Sequence, residues 1–515
     1  MQDNVGAFLT NRARRSPNQE AVVDLAGGQR LNYRELNGRA NTIADALGQR
    51  GVRPGDRVGL LTYNCVEFVE SFFGLAKLGA VVVPLNWRLV ADELNFILKD
   101  SGTTVLIYGV EFAEVVADLQ ARTADGPDIS LWIEVGPADD RQLFAENYDE
   151  VLSTGADDEP EITSGDDDVL FIMYTSGTTG LPKGVVHTHS TMMWAMLTIA
   201  ATSDIREADR YVIVLPMYHV GALTPVLSNV YIGVSTILMR QFDPTGMWDV
   251  IETEKATSTL AVPAMLNFML MVPDFKQRDL SALRWIMSGA SPVPAALIEK
   301  YMDLGIEIHQ VYGLTECGGP GCVISTADAM DHIGSAGKAF FHTEVRVVDE
   351  EGQDVPPNAP GEVILRGRHN MVGYWNNPDA TGQALRNGWL YTGDVAIIDE
   401  EGFVTIQDRI KDLVISGGEN VYPAEVENVI LQHPDVTEVA VIGQPSEAWG
   451  ESPLAVVVRS DDGLSAADIL KFCDGKLARY KLPKSVEFID EIPRNPTGKP
   501  LKRILREQFP GPASE

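Results

Sequence analysis

The chain has 515 residues, of which 41 are Lys or Arg and 73 are Asp or Glu, giving a formal net charge of −32. Such a charge opposes non-specific binding to nucleic acid, because phosphate contacts require clustered basic side chains. Since 45% of the residues are hydrophobic and 22% are charged, the chain can bury large cores and is not expected to be disordered. The length predicts at least two domains.

Cysteine usage and the apolar stretches indicate a cytoplasmic protein without integral membrane association. The two longest apolar stretches, 72–84 and 260–272, contain Lys77 or Pro263 and are too short to span a bilayer. The first 17 residues lack the apolar segment of a secretory signal. The cysteines do not have the spacing of a disulfide framework or of a structural zinc site; they are Cys65, Cys317, Cys322 and Cys473.

The first 150 residues predict alternating helices and strands. Asn32 is expected to cap a helix in which Glu35 is the third residue, a variant of the capping box. A strand at 57–61, a helix at 66–77 and a continuous β-branched strand at 79–85 follow. This order of elements predicts a parallel sheet.

After residue 150 the pattern changes three times. The segment 152–168 is acidic and polar and is interpreted as a linker, and a second series of strands and helices runs from 169 to about 323. Short strands between Gly and Pro turns at 334–407 predict an antiparallel β subdomain. The last part, about 100 residues long, has the size of a small α+β domain. The expected fold class is therefore α/β.

The segment YTSGTTGLPKG at 174–184 carries the strongest chemical signal and follows a predicted strand at 169–173. Its glycines let the backbone approach a ligand, its hydroxyls can donate to phosphate oxygens, and Lys183 supplies a cation. The alternative is a polar hairpin, which does not require so many hydroxyls. We predict a phosphate-binding loop, and a Walker A loop is disfavoured because no Gly-Lys-Ser/Thr ends the segment.

Five further motifs occur in order with this loop, and together they resemble those of the adenylate-forming acyl-CoA synthetases. They are LPMYH at 215–219, VYGLTE at 311–316, YTGD at 391–394, DRIKD at 408–412 and PTGK at 496–499. The resemblance covers nearly the whole chain. Two other segments, at 416–423 and 479–483, are most similar to fatty-acyl-CoA ligases of the mycobacterial type.

The resemblance implies a two-step reaction. A carboxylic acid attacks the α-phosphate of Mg·ATP to give an acyl-adenylate and pyrophosphate, and the thiol of coenzyme A then displaces AMP. Positioning and charge stabilisation carry such chemistry, so a side-chain nucleophile is not required. The expected partners are ATP, coenzyme A, a small carboxylic acid and Mg²⁺; nucleic acid is not among them, and a homodimer is one oligomeric state that the resemblance allows.

The motifs imply an ATP site when they are transferred residue by residue. Glu316 is a hard oxygen ligand that suits Mg²⁺, with Thr175 as the second ligand. Asp394 is expected to accept hydrogen bonds from the ribose hydroxyls, and Arg409 adds a forked donor. The residues implied in ATP binding are Thr175, Ser176, Gly177, Thr178, Thr179, Gly180, Lys183, Gly289, Ala290, Tyr312, Gly313, Thr315, Asp394 and Arg409.

The resemblance also implies which side chains act on the reacting groups. Lys499 would place a cation near the α-phosphate in the adenylation transition state. His219 is expected to line the site of the acyl carboxylate, whereas His187 and His189 are given no catalytic role. The implied catalytic set is Lys499, Glu316, Thr175 and His219. The stretch 476–506 around Lys499 contains nine Lys or Arg and three Asp or Glu, a local charge of 9 − 3 = +6.

The motif at 408–412 is expected to be a hinge. Residues 1–407 would then form an N-terminal adenylation domain built of two βα subdomains and a β subdomain, 408–411 the hinge, and 412–515 a small mobile C-terminal domain. Lys411 would be the pivot between two catalytic poses. In the second pose, Gly417 and Gly418 would face the pantetheine of coenzyme A.

Apart from His219, the residues of the expected acyl pocket are small, which predicts a medium- or long-chain fatty acid. The pocket residues are His219, Gly221, Ala290, Gly313, Gly318 and Gly319. Aryl-CoA ligases typically carry a Tyr at the position of Gly221, so glycine there favours an open tunnel. The small residues could instead serve backbone packing. Three functional alternatives are an aromatic acid (feruloyl, coumaroyl or benzoyl type), transfer of the acyl group to a carrier protein, and a non-catalytic acyl-binding protein, which the presence of Lys499, Glu316 and the Thr/Gly loop disfavours.

Overall fold

The structure is a computed structural model, and it describes most of the chain. The described residues are 3–122, 126–175, 181–289, 293–325, 328–329, 331–409, 412–416, 419–446, 449–474, 476–477, 479, 481–494 and 500–511.

Helices and strands alternate through the first part of the chain, as the sequence predicts. The capping box at Asn32 is formed, because the Asn32 side chain accepts from the Glu35 amide at 3.0 Å and Glu35 accepts from the Asn32 amide at 2.8 Å. The elements are α1 (Val5–Arg15), β1 (Glu20–Asp24), β2 (Gln29–Asn32), α2 (Tyr33–Gln49), β3 (Arg57–Leu61), α3 (Val66–Leu78), β4 (Val81–Pro84), α4 (Ala91–Ser101), β5 (Thr103–Gly109), α5 (Ala113–Ala121), β6 (Leu131–Val135), β7 (Glu146–Asn147) and α6 (Tyr148–Leu152).

A second alternating series begins with the strand before the predicted phosphate loop. It comprises β8 (Val169–Thr175), β9 (Lys183–Thr188), α7 (His189–Thr202), β10 (Arg210–Ile213), α8 (Val220–Ile232), β11 (Ser235–Leu238), α9 (Pro244–Thr253), β12 (Ser258–Leu260), α10 (Pro263–Leu270), β13 (Trp285–Gly289), α11 (Ala295–Met302), β14 (Glu307–Tyr312) and β15 (Cys322–Val323). In the ranges given above, no helix combines the length and the apolar character needed to cross a membrane.

These two series build two sheets with mostly parallel strands. The described strands pair in the order β7-β6-β5-β3-β4-β8-β9 in one sheet, and β2-β1-β11-β10-β12-β13-β14-β15 in the other. The pairs β3–β4, β3–β5 and β5–β6 are parallel, which confirms the prediction from the strand–helix–strand order. Because the β13–β14 pair is also parallel, the carboxyl ends of β13 and β14 lie at one edge of the second sheet.

Short strands dominate the next segment, which contains β16 (Lys338–Ala339), β17 (Glu344–Val348), β18 (Gly361–Arg366), β19 (Gly373–Tyr374), α12 (Pro378–Ala384), β20 (Leu385–Arg386), β21 (Trp389–Ile398) and β22 (Val404–Arg409). Five of these form the predicted antiparallel sheet, ordered β17-β18-β21-β20 with β22 on β21. The other two leave it, since β16 pairs with β15 and β19 with β9. The β subdomain is thus joined by strand pairing to both parallel sheets.

The C-terminal part forms a small α+β unit, in agreement with the predicted fold class. Its elements are β23 (Val414–Ser416), β24 (Glu419–Val421), α13 (Pro423–Ile430), β25 (Val436–Ser446), β26 (Gly450–Arg459), α14 (Ala466–Cys473), β27 (Ser485–Phe488) and α15 (Lys502–Gln508). The long antiparallel pair β25–β26 is its centre, and β27 adds in parallel to β26. Helix α14 ends at Cys473, because Asp474 takes an extended conformation.

The polar segment interpreted as a linker is anchored to the first subdomain. Lys77, in α3, is fully buried, and its ammonium group donates to the Glu159 carboxylate at 2.8 Å and to Asn37 at 2.7 Å. Asn41 donates to the carbonyl of Asp157 at 3.0 Å. Lys77, which interrupts the apolar stretch 72–84, is therefore a buried ion-pair partner of Glu159 in the polar segment 152–168.

The four cysteine side chains are buried thiols distributed over three cores. Cys65 lies in the large core of the parallel sheets, Cys317 and Cys322 in the core of the β subdomain, and Cys473 in the C-terminal core.

Helix α1 contacts the buried histidine that begins helix α7, His189. The amide of Val5 donates to Nδ1 of His189 at 3.1 Å, so this nitrogen is an unprotonated acceptor. Burial lowers the pKa of His189 to about 4, although Asp166 and Asp168 oppose the shift. The native protein therefore keeps a neutral imidazole at this position.

This histidine predicts a contribution to acid sensitivity. In the unfolded chain, histidine titrates near 6.5, so between pH 6.5 and 4 the unfolded state binds a proton that the native state does not. Stability falls as the pH falls through that window. In His189→Asn, the amide oxygen can still accept from Val5, but the side chain does not titrate. Between pH 6.5 and 5, we expect the free energy of unfolding of this variant to fall by about 2 kcal/mol less than that of the unchanged protein. Urea midpoints at both pH values measure this; parallel pH dependences of the two proteins would contradict it.

Candidate active site

Side chains from the two parallel sheets and the β subdomain meet where β14 ends. Tyr312 is the last residue of β14, and one turn of 3₁₀-helix, Thr315–Cys317, follows and carries Glu316. Tyr374 comes from β19, and Asp394 comes from β21. Clefts at the carboxyl ends of parallel strands are the usual ligand sites of open α/β sheets.

Asp394 and Arg409 form an ion pair that β-pairing sets up. The two residues are directly opposite each other on β21 and β22, and Nε of Arg409 lies 2.6 Å from Oδ1 of Asp394. Burial disfavours the charge of Arg409, but the negative groups around it, with Asp394 the foremost, together raise the pKa of Arg409 above its ordinary value. The Arg409 side chain keeps 38% of its surface exposed, so it can also contact a ligand.

Tyr312 holds the second oxygen of the same carboxylate. Its hydroxyl donates to Oδ2 of Asp394 at 2.7 Å. Burial raises the pKa of Tyr312 well above its ordinary value, so the phenol stays protonated and keeps donating. The Asp394 carboxylate is thus fixed in orientation by a phenol on one oxygen and a guanidinium on the other.

Glu316 is held in a similar way by Tyr374. The Tyr374 hydroxyl donates to Oε1 of Glu316 at 2.8 Å, and burial raises the pKa of Tyr374. The ammonium group of Lys183, at the start of β9, lies 5.1 Å from the centre of the Tyr374 ring, within cation–π range. The sequence analysis did not identify Tyr374, which lies 58 positions after Glu316.

The donor set at Glu316 fits a cation that arrives with phosphates. Among the described residues, no cluster of three or more His, Cys, Asp or Glu could hold a metal ion. A single carboxylate with one oxygen already bonded leaves the other oxygen for a metal. Mg²⁺ commonly binds through one or two carboxylates together with water and substrate phosphates. Glu316 therefore fits a Mg·nucleotide complex better than a resident metal.

The predicted phosphate loop connects an antiparallel pair. Thr175, at the end of β8, is opposite Lys183, at the start of β9, so the connection is a hairpin. The hairpin alternative is correct for the topology, and it does not exclude phosphate binding. Ser176, Gly177, Thr178, Thr179 and Gly180 lie outside the described residues, as do Ala290, Lys411, Gly417, Gly418 and Lys499.

Four of the expected acyl-pocket residues lie at the first half of α8, namely His219, Gly221, Gly318 and Gly319. His219 is the N-cap of this helix, and its ring centre lies 4.3 Å from that of Tyr218. Arg88 donates to the Tyr218 hydroxyl at 2.8 Å. Thr224, one turn into the helix, donates to the carbonyl of Gly318 at 2.8 Å. The helix thereby joins the His219 side of the site to the glycine-rich turn after Glu316.

The small residues do not all serve the same purpose. A Cβ atom on Gly313 would lie 1.6 Å from the carbonyl oxygen of Gly319, and one on Gly289 would lie 2.3 Å from that of Val311. These two glycines are required by backbone packing, as the packing alternative predicts. A Cβ on Gly221 would meet only Leu215 Cδ1, at 3.3 Å. At Gly221, backbone packing therefore does not exclude a side chain, because the close neighbour is the end of a flexible leucine.

Comparison with known proteins agrees with this arrangement. A family model described as AMP-binding enzyme matches residues 9–375, and one described as AMP-binding enzyme C-terminal domain matches residues 425–499. The chain belongs to the AMP-binding enzyme family. The family resemblance that the sequence motifs predict is thus confirmed.

Relatives within the AMP-binding enzyme family differ in the acid that their names give. The chain is 47% identical to the long-chain-fatty-acid–CoA ligase FadD13 of Mycobacterium tuberculosis over 506 residues, covering 98% of each protein. It is 40% identical to a feruloyl-CoA synthase of Amycolatopsis over 508 residues, covering 98% of this chain and 99% of the relative. A solved structure, a fatty acyl CoA synthetase of Mycobacterium tuberculosis, is 46% identical with a TM-score of 0.80, covering 99% of this chain and 98% of that one.

The Tyr312–Asp394–Arg409 arrangement predicts graded effects on nucleotide binding. If Asp394 accepts from the ribose, Asp394→Asn should weaken ATP binding by roughly 10- to 100-fold, since hydrogen bonds to charged groups contribute about 1.5–3 kcal/mol. Tyr312→Phe keeps the carboxylate and loses only one orienting bond, so its effect should be several times smaller. Calorimetric titration with Mg·ATP measures both. Unchanged ATP affinity in Asp394→Asn would contradict the assignment.

Proposed function

We propose that this protein is an ATP-dependent acyl-CoA synthetase that activates a medium- or long-chain fatty acid. The acid forms an acyl-adenylate with release of pyrophosphate, and the acyl group is then transferred to coenzyme A with release of AMP. The observation that supports this most directly is the pair of fixed carboxylates at the end of β14: Asp394, held by Tyr312 and Arg409, and Glu316, held by Tyr374. As an AMP-forming acid–thiol ligase, the protein uses ATP and coenzyme A as substrates.

Asp394 and Arg409 are proposed to bind the nucleoside. Both oxygens of Asp394 are already oriented, so accepting from two ribose hydroxyls requires no side-chain movement. Arg409 has further donors on its guanidinium for the ribose or a phosphate. Gly289, Gly313 and Thr315 line the same edge of the sheet and are proposed as the floor of the nucleotide site.

Thr175 and Glu316 are proposed to hold Mg²⁺ when Mg·ATP binds. The bound ion neutralises phosphate charge and so lowers the electrostatic cost of bringing a carboxylate to the α-phosphorus. Lys183 is anchored by β-pairing at the base of the phosphate loop and stacks against Tyr374, which places a second positive charge near Glu316.

The bond changes require no covalent enzyme intermediate. A carboxylate oxygen of the acid attacks the α-phosphorus while the bond to the leaving pyrophosphate breaks, and Lys499 is proposed to stabilise the negative charge that develops. His219, at the start of α8, is proposed to line the acyl-carboxylate site. Cys317 lies beside Glu316, but burial raises the pKa of its thiol to about 12, so it is an unsuitable nucleophile.

The second step is proposed to follow a domain movement about Lys411, between the proposed domains 1–407 and 412–515. Gly417 and Gly418 would then face the pantetheine channel, and the thiol of coenzyme A would attack the acyl carbonyl with AMP leaving. We also propose a cytoplasmic location, supported by four buried, reduced cysteines. A homodimer remains a prediction of the sequence.

A fatty acid is preferred over an aromatic acid because of Gly221. The space beyond its Cα lies at the start of α8, beside His219, where a side chain would shorten the site. The higher identity to FadD13 than to the feruloyl-CoA synthase agrees with this choice. An aryl-CoA ligase with the same mechanism is the second candidate, favoured by the second of these relatives.

A substrate panel tests the proposed function. AMP release should require coenzyme A and should be fastest with medium or long chains when acids from acetate to palmitate are compared with ferulate and benzoate. Lys499→Ala should abolish acyl-adenylate formation but retain transfer from supplied adenylate. A preference for ferulate or benzoate would establish the aryl alternative, and faster transfer to a phosphopantetheinyl carrier protein than to coenzyme A would establish the carrier alternative.

A single substitution tests the role of Gly221 in the acyl pocket. Gly221→Leu should lower kcat/KM for palmitate by at least about tenfold, because the added side chain occupies space that a long chain needs. The effect on acetate should be small. Gly221→Ala, whose Cβ meets only the flexible Leu215, is the matched control. An equal loss for both acids would contradict the pocket assignment.

A further inference from the structure

The turn that carries Glu316 has each of its three backbone carbonyls bonded by a group from another segment. Nε2 of His187 lies 2.7 Å from the carbonyl oxygen of Thr315, and Nδ1 of His369 lies 2.8 Å from that of Cys317. Between them, the amide of Met371 donates to the carbonyl of Glu316 at 2.8 Å. The two imidazoles therefore hydrogen-bond to the backbone carbonyls of the residues immediately before and after Glu316.

Hydrogen bonding assigns one tautomer to each ring. A carbonyl oxygen can only accept, so the ring nitrogen facing it carries the hydrogen. The other nitrogen faces a threonine hydroxyl: Nδ1 of His187 is 3.1 Å from Thr191 Oγ1, and Nε2 of His369 is 2.7 Å from Thr343 Oγ1. The Thr343 hydroxyl can donate to the unprotonated nitrogen of His369, whereas the Thr191 hydroxyl lies 3.1 Å both from Nδ1 of His187 and from the carbonyl of Thr188, so its hydrogen is shared between two acceptors. His187 is therefore the Nε2–H tautomer and His369 the Nδ1–H tautomer.

Burial makes these contacts well defined. Both histidine side chains are fully buried, and each comes from a different segment of the chain, His187 from β9 and His369 from the connection between β18 and β19. The adjacent Gly318 leaves little room for movement, because a Cβ there would lie 3.4 Å from the His187 ring and 3.3 Å from the carbonyl of His369. A neutral imidazole that gives its hydrogen to a buried carbonyl fixes that carbonyl without adding charge beside Glu316.

We propose that His187 and His369 are positioning residues that fix the backbone of the Glu316 turn and thereby aim the Glu316 carboxylate at the metal of bound Mg·ATP. This rests on the proposed function of Glu316. Neither imidazole contacts the substrate in the proposal; they act through the peptide groups on both sides of the ligand. Tyr374 fixes one carboxylate oxygen, and the two histidines fix the backbone from which that carboxylate extends.

Matched amide substitutions test the proposal. A glutamine amide can reach the position of imidazole Nε2, and an asparagine amide that of Nδ1. His187→Gln and His369→Asn keep the donor in place, whereas His187→Asn and His369→Gln misplace it with the same chemical groups. The readout is the gain in ATP affinity that Mg²⁺ produces, measured by calorimetry with Mg²⁺ or with EDTA and without acid or coenzyme A.

We expect the two donor-retaining variants to keep the Mg²⁺-dependent gain within about twofold, and the two misplaced variants to lose roughly three- to tenfold of it, the value of one hydrogen bond. His189→Asn, which changes a buried histidine that contacts α1 instead of this turn, should keep the full gain. If Asn and Gln behave alike at both positions, the proposal is wrong.

Two further measurements separate this proposal from the proposed function. If Glu316→Gln retains the full Mg²⁺-dependent gain, the metal role of Glu316 is wrong and the positioning role falls with it. If Glu316→Gln loses the gain while both misplaced variants keep it, only the positioning proposal is overturned.

In the unsubstituted protein, selectively ¹⁵N-labelled histidine should show His187 as neutral Nε2–H and His369 as neutral Nδ1–H at pH 7. A cationic ring or the opposite tautomer at either position would overturn the proposal even if a variant fails to fold.

Discussion

Two short strands, β19 and β9, hold the candidate active site together. Their register sets Tyr374 opposite Val185, and the next amide, that of Trp375, donates to the carbonyl of Gly184 at 2.7 Å. Strand β9 carries Lys183 and His187, and the chain leading into β19 carries His369 and Met371. One pairing therefore brings the base of the phosphate loop and the support of Glu316 into a fixed relation, although the β subdomain and the first parallel sheet lie far apart in the sequence.

The charge of −32 is compatible with polyanionic substrates because the positive groups of the site are placed individually. Arg409 and Lys183 are each held by a specific partner, Asp394 and the Tyr374 ring. The basic stretch at 476–506 supplies less uncompensated positive charge than its composition indicates. Within the described residues, five of its members form ion pairs in their own part of the chain: Lys481 with Glu425, Lys502 with Glu427, Arg494 with Glu438, Arg503 with Glu507 and Arg506 with Asp412.

Local features were predictable from the sequence, whereas long-range ones were not. The capping box at Asn32 and the strand Arg57–Leu61 depend on neighbouring residues, and the structure agrees with both. Asp394, Arg409 and Tyr312 were identified because their motifs are contiguous. Tyr374 and His369 have no such signal, because they reach the Glu316 turn only through the pairing of β19 with β9. The sequence gives His187 no catalytic role, because a histidine after the phosphate loop can simply begin the next helix; its partner carbonyl lies 128 positions away.

Because the four cysteines are buried, the reactivity of their thiols can report local opening of the cores that contain them. Because Cys65, the pair Cys317 and Cys322, and Cys473 belong to three separate cores, an alkylating reagent can reach each thiol only when that core opens. Rates of alkylation followed by mass spectrometry would then rank the three units by local stability without any introduced label. The pair beside Glu316 would also register whether nucleotide binding closes the centre of the molecule, since a ligand that binds only the closed form slows every opening that exposes it.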